Sequence, residues 1–186
     1  MNPLFTVKSR LDFIRYLNSR GLTNVGVEIG VLFGEYSEFI LSNWPGTLYM
    51  IDPWENQKPS EYLDGCNAVD MEKAMKKAMA VTGRFGDRAK MFRAYSAHAP
   101  HLILNHHVPI DFVFIDGNHK QSAVKQDIET FWPIIKSGGV LAGHDFYERH
   151  DAYQDCGVKT AVQNFARENR LTVVLTNDTS WFIQKP

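Results

Sequence analysis

The stretch LTVVLTNDTSWFIQ, residues 171–184, decides the fold. It holds two short apolar runs, 171–176 and 180–184, separated only by Asn177, Asp178 and Thr179. Three residues cannot hold the crossover helix that parallel neighbours require, so the two runs must pair as an antiparallel hairpin. Upstream the pattern changes: short apolar runs alternate with longer segments whose apolar residues recur every three or four positions. The runs 24–31 (NVGVEIGV), 47–52 (TLYMID), 89–94 (AKMFRA), 110–116 (IDFVFID) and 139–144 (GVLAGH) read as strands. Most are apolar on both faces, as expected of a parallel sheet with helices on each side.

The expectation is an α/β fold, a Rossmann-like three-layer sandwich whose seven-stranded, mostly parallel sheet ends in a C-terminal antiparallel hairpin. Four amphipathic segments supply helices. Residues 6–19 form the first, a cap or interface element, and 157–169 the last, with Val158, Val162 and Phe165 inward. Segment 69–82 spaces Met71, Met75 and Met79 four apart, which reads as a core-packing stripe. Segment 120–136 puts Val124, Ile128, Phe131 and Ile135 on one face and stops at Ser137-Gly138-Gly139, with Pro133 kinking or weakening its last turn.

A chain of 186 residues, 44% of them hydrophobic, buries one core, so residues 1–186 are expected to be one domain. The net charge of −1, with Lys and Arg scattered, offers no footprint for a phosphate backbone and argues against nucleic acid as a partner. Cys66 and Cys156 fall outside any C-x-x-C spacing and read as ordinary thiols of a reducing compartment. No apolar run approaches the roughly 20 residues of a membrane helix, and a cytoplasmic protein with no membrane partner is expected. His98, His101, His106 and His107 read as solvated.

In an open α/β sheet ligands sit at the carboxyl ends of the strands, and there the polar residues of this chain collect. The first strand runs into VEIGVLFGEYS, where Gly30 and Gly34 bracket the turn into a helix and Glu28 is an acid inside an apolar run. Such a carboxylate is costly without a partner, which either a cationic ligand or a structural hydrogen bond supplies. Asp52 ends the second strand, about 20 residues past the glycine turn, at the place where an acid accepts ribose hydroxyls. Trp54 offers a face for a stacked base or packs beneath its loop; Ser96 hydrogen-bonds the base or caps a helix. FVFIDGNHKQ (112–121) and GGVLAGHDF (138–146) then deliver Asp116, His119, His144 and Asp145 at two further strand ends.

Together, VEIGVLFGEYS, IDPW, RAYS, IDFVFIDGNH and GGVLAGHDF resemble class I S-adenosylmethionine-dependent methyltransferases, over about residues 22–185. Within that superfamily the chain is similar to the methyltransferase family 24 type, related to metal-dependent O-methyltransferases of macrolide sugars and to the cephalosporin hydroxylase group. The resemblance implies that S-adenosylmethionine is the cofactor. Glu28, Gly30, Gly34 and Ser37 would line its methionine end, Asp52 would hold the ribose, and Trp54 and Ser96 would border the adenine. It further implies that Asp116, beside the cofactor, joins His144 and Asp145 to bind a divalent metal such as Mg2+, and that His119 is the general base. Where relatives often carry an acid, this chain has His144.

The chemistry asks for the same residue types. A hydroxyl attacks a sulfonium methyl poorly until its proton is removed or its oxygen polarised. Carboxylates at adjacent strand ends hold a Lewis-acidic cation, and an imidazole, with an ordinary pKa of about 6.5, accepts a proton near neutrality. The expected partner is a small-molecule acceptor met by the N-terminal helix 6–19 and by 55–68 and 147–156, with a homodimer as an open alternative. Two other readings stay open on the residues alone: a metal-dependent hydrolase, which leaves Glu28 and Asp52 without a task, and a catalytically idle nucleoside-binding domain.

Overall fold

A computed structural model describes residues 6–56, 69–100, 109–151 and 154–186. Its elements run α1 (Arg10–Ser19), β1 (Val25–Ile29), α2 (Glu35–Asn43), β2 (Thr47–Asp52), α3 (Met71–Thr82), β3 (Ala89–Arg93), β4 (Ile110–Ile115), α4 (Gln121–Phe131), β5 (Ile135–Gly143), β6 (Arg149–His150), β7 (Asp155–Cys156), α5 (Val158–Glu168), β8 (Val174–Leu175) and β9 (Trp181–Gln184). The large sheet has seven strands in the order β3-β2-β1-β4-β5-β9-β8. Strands β1 to β5 pair in parallel, whereas β9 runs antiparallel to both β5 and β8. The hairpin read from residues 171–184 is therefore present, although its first strand is only two residues long.

The pleat divides the core in two. Leu48, Met50, Phe112 and Phe114 face α1, α2 and α3, while Val27, Ile51, Val113 and Ile115 face α4 and α5. Strands β1 and β4 are buried along their whole length, which explains why they read as continuous apolar runs. On α1, Phe13, Ile14, Tyr16 and Leu17 are buried, and the Ser9 side chain caps the helix by accepting the Asp12 N–H at 3.2 Å. Val158 and Val162 are buried as expected; Phe165 is only partly so, edge-on to Trp132.

Two helix readings are corrected. The segment 120–136 is not one helix: α4 stops at Phe131, Trp132–Ile134 form a 3-10 turn, and Ile135 already belongs to β5. Pro133 has no N–H to continue the ladder, so it ends the helix instead of weakening it, and Ser137-Gly138-Gly139 lies inside the strand. On α3 the buried line is Ala74, Ala78 and Thr82, with Met71 and Met75 at its margin and Met79 55% exposed. Small residues win the inward face because α3 packs close against α2. Beside the large sheet, β6 and β7 form a separate antiparallel pair within the segment 147–156. No helix among the described residues is long and apolar enough to cross a membrane.

Candidate functional site

The chain order of the sheet reverses between β1 and β4, which leaves a crevice above their carboxyl ends. The backbone there is fixed by an extended ladder: Gly30 N–H donates to Ile51 O, Asp116 N–H to Ile29 O and His144 N–H to Ile115 O. A cavity of about 550 Å3 opens above β1, β2, β3 and β4. Gly30, Asp52, Ser96, Asp116 and His119 line it. With strands about 4.8 Å apart, the run from β4 to β3 is about 14 Å, long enough for a nucleoside carrying a short side chain.

Asp52 organises the turn above β1. One of its oxygens accepts the N–H groups of Val31 and Leu32 at 2.8 and 3.0 Å, and the other that of Trp54 at 2.7 Å. Leu32 (φ 49°) and Trp54 (φ 41°) both sit in the left-handed region, which costs about 1–3 kcal/mol per non-glycine residue, and these bonds hold them there. Trp54 itself is 1% exposed, donates its indole N–H to Leu32 O and lies in the core, away from the cavity lining. Of its two readings, packing beneath the loop is the one realised.

The two glycines serve packing as well as the turn. A side chain on Gly30 would run into the backbone carbonyl of Asp116, 2.1 Å away, closing the β1–β4 crevice. Gly34, the N-cap of α2, is not in the cavity lining; a Cβ there would stand 2.9 Å from the Cα of Ala78 on α3. Both have positive φ, 85° and 77°. Glu28 and Ser37, expected at the methionine end of the cofactor, are likewise absent from the cavity lining; both are buried, with the Ser37 hydroxyl donating to the Glu28 carboxyl. Burial, outweighing that hydrogen bond, pushes the Glu28 carboxyl up to about 8. A structural hydrogen bond thus satisfies this acid, and a cation bound nearby would draw it toward its ionised form.

At the β4 and β5 ends the acids and histidines meet. His119 Nε2 stands 3.2 Å from Asp145 Oδ2 and 3.7 Å from Asp116 Oδ1. His144 Nδ1 stands 3.2 Å from Asp145 Oδ1 and 3.9 Å from Asp116 Oδ1. Burial pulls the His144 imidazole down, but the Asp145 hydrogen bond and the neighbouring carboxylates outweigh it and the net shift is upward. Asp145 moves the opposite way: burial raises it, while His144 and His119 outweigh this and hold it below the usual carboxylate range. Asp145 also has φ 55°, a conformation that aspartate tolerates better than most residues. One ligand atom each from Asp116, His144 and Asp145 lie within 4.8 Å of one another. Two carboxylate oxygens and an imidazole nitrogen at that spacing fit a divalent cation, with the histidine favouring Mn2+, Fe2+ or Zn2+ over Mg2+.

Two residues at the site escape the sequence reading. Arg10, on α1, places Nη1 3.4 Å from Asp116 Oδ2 and its guanidinium 5.1 Å from the Tyr36 ring centre. A contact across 106 residues leaves no trace in local patterning. Asp127, on α4, is 4% exposed, lines the cavity and accepts a hydrogen bond from the Ser96 hydroxyl. That one had a signal: Val124, Asp127, Ile128 and Phe131 are the buried face of α4, so an acid interrupts an apolar stripe. His98, read as solvated, is exposed but lines the same cavity. His101, His106, His107, Cys66 and most of 55–68 lie outside the described residues.

Known proteins share this fold. A family model described as a methyltransferase domain, family 24, matches residues 27–146. No curated protein matches the chain. Among solved structures, the O-methyltransferase from Bacillus cereus in complex with SAH is 17% identical with a TM-score of 0.65, the alignment covering 100% of this chain and 82% of that one. The TDP-rhamnose 3'-O-methyltransferase of calicheamicin biosynthesis is 13% identical with a TM-score of 0.61, covering 94% and 77%. An rRNA methylase from Streptococcus thermophilus is 15% identical with a TM-score of 0.58, covering 96% and 98%. At these identities the likeness to solved structures is one of fold.

Proposed function

The chain belongs to the methyltransferase domain family 24, among the class I S-adenosylmethionine-dependent methyltransferases, and on that premise we propose that it methylates a hydroxyl of a small molecule, with His119 as base. The observation that carries this reading is the adjacency of the nucleoside-sized cavity to the Asp116, His119 and Asp145 cluster. S-adenosylmethionine would lie along the cavity, its ribose on Asp52 and its methionine end above Gly30, Glu28 and Ser37. Balanced charge, 20 Lys and Arg against 21 Asp and Glu, favours a small acceptor over RNA.

Methyl transfer is an in-line displacement: the acceptor oxygen forms a bond to the methyl carbon as the carbon–sulfur bond breaks and its electron pair returns to sulfur. The hydroxyl proton passes to His119 Nε2. Asp145 and Asp116, at 3.2 and 3.7 Å, stabilise the imidazolium that forms. Asp116, His144 and Asp145 would hold a divalent cation, which when bound supplies Lewis acidity to a chelating hydroxyl. Titration calorimetry with S-adenosylhomocysteine tests the cofactor assignment, with stoichiometric binding expected. Incubation with S-adenosylmethionine and a panel of phenolic and glycosyl hydroxyls, read by mass, tests the reaction. Absence of S-adenosylhomocysteine binding ends the reading.

A further inference from the structure

The nucleoside-sized cavity ends at Asp116 and His119; Arg10, His144 and Asp145 are not in its lining. On the reading above, the methyl acceptor approaches from that other side, where α1 and the turn between β8 and β9 stand beside the acid and histidine cluster. The turn touches both. The Thr179 hydroxyl is 3.5 Å from His144 Nε2, and Asp178 accepts the Arg10 N–H at 2.9 Å.

Arg10 is the residue of α1 that this arrangement fixes. Asp178, itself held by the Thr176 hydroxyl and the Ser180 N–H, anchors its backbone nitrogen, and its carbonyl accepts the Tyr36 hydroxyl at 2.9 Å. The guanidinium lies over the Tyr36 ring, 5.1 Å from its centre. Its ion pair with Asp116 is a single contact at 3.4 Å between side chains 35% and 21% exposed. One long contact at that exposure stabilises little, and the guanidinium fork is suited to a two-point grip on an oxyanion.

Charge points the same way. A divalent cation on Asp116, His144 and Asp145 would be neutralised by the two carboxylates, with the Arg10 guanidinium beside them as a further positive charge. Asp178 is engaged at the N-terminus of α1, where it complements the helix dipole. An incoming anion completes the balance.

We infer that Arg10 receives an anionic group of the methyl acceptor, a carboxylate or a phosphate, while the acceptor's hydroxyl faces His119. Asp116 stands between the two, 3.4 Å from the guanidinium and 3.7 Å from His119 Nε2, so one small molecule spans both. The inference rests on the small-molecule methyl transfer proposed above and adds the chemical class of the acceptor.

The test is calorimetry on the intact chain, Arg10→Gln and Arg10→Lys, each in the presence of S-adenosylhomocysteine and Mn2+. The probes are two matched pairs: 3,4-dihydroxybenzoate against 3,4-dihydroxybenzamide for a carboxylate, and glucose 6-phosphate against glucose for a phosphate. In the unaltered protein an anion is expected to bind about ten- to a hundredfold more tightly than its neutral partner, and the pair that shows this identifies the group. Arg10→Gln should abolish the preference and leave the affinity for the neutral compound unchanged. Arg10→Lys keeps the charge without the fork and should retain part of the preference. Both anchoring bonds go to the backbone of residue 10, so the variants should fold, with circular dichroism as the check; Arg10→Lys is the reporter if Arg10→Gln does not. A preference that persists in full in the folded variants places the anion on the bound cation and overturns the inference. Equal weakening of anion and neutral compound makes Arg10 a structural residue and overturns it too, as does no preference in the unaltered protein, whether or not the four compounds bind. These outcomes leave cofactor binding intact, whereas failure of the unaltered protein to bind S-adenosylhomocysteine removes the proposed function itself.

Discussion

His119 Nε2 lies 3.2 Å from Asp145 Oδ2, although the two residues leave the sheet from different strands, β4 and β5. The β4–β5 register, with Ile115 opposite Gly143, brings the two loops side by side. The positive charge that His119 acquires when it takes a proton is therefore met by a fixed carboxylate.

His119→Ala is therefore expected to lower kcat by about 10²–10⁴, the usual worth of a general base, while S-adenosylhomocysteine affinity stays unchanged. Steady-state kinetics beside calorimetry checks this. A parallel loss of cofactor affinity would make His119 a binding residue instead.

The Asp116, His144 and Asp145 set leads to a second prediction. Asp145→Asn removes one of two anionic ligands and should weaken Mn2+ binding by at least about tenfold, read by calorimetry or by electron paramagnetic resonance. Arg10→Gln should strengthen it, because the guanidinium 3.4 Å from Asp116 Oδ2 repels and competes with a cation. Equal Mn2+ affinity in all three proteins would dissociate this cluster from metal.

Gly34→Ala should destabilise the fold by about 1–3 kcal/mol without altering the cavity. The φ of 77° disfavours any side chain, and the added Cβ would meet the Cα of Ala78 at 2.9 Å, forcing α2 and α3 apart. Urea denaturation gives the stability change, and S-adenosylhomocysteine affinity in the folded fraction should remain that of the unaltered protein. A weakened affinity with unchanged stability would return Gly34 to the cofactor side.

The sheet was legible because its central strands are buried on both faces, and the hairpin because three residues admit no other connection. Site residues at strand ends were legible for a related reason: an acid or histidine ending a buried run, as at Asp52, Asp116 and Asp145, has only the carboxyl edge of the sheet to occupy. What was not legible depends on separation or on crowding. Arg10 reaches its partner across the molecule, Trp54 turns inward because Asp52 fixes a left-handed backbone beneath it, and Met79 gives up the inward face of α3 to Ala74 and Ala78. Pro133 ends the helix outright, and the sequence hides this because the apolar spacing runs on past it into β5.

The last prediction concerns pH. Burial keeps the Glu28 carboxyl protonated in the folded protein up to about 8, whereas the unfolded chain releases that proton near 4.5. Between those values the unfolded state binds fewer protons than the folded one, so stability must fall as pH rises and level off above about 8. Asp127, raised by burial to about 6 from 3.8, adds a contribution of the same sign that is spent by about pH 6. The interval from pH 6 to 8 therefore isolates Glu28 from Asp127. Glu28→Gln keeps an acceptor for the Ser37 hydroxyl and cannot ionise, so its urea midpoint should decline less across that interval than that of the unaltered protein, with the two converging toward acid pH. Parallel profiles would mean that Glu28 is ionised in the folded chain. A cation held close to it would then be required, since the Ser37 hydrogen bond alone does not offset the cost of burying the charge.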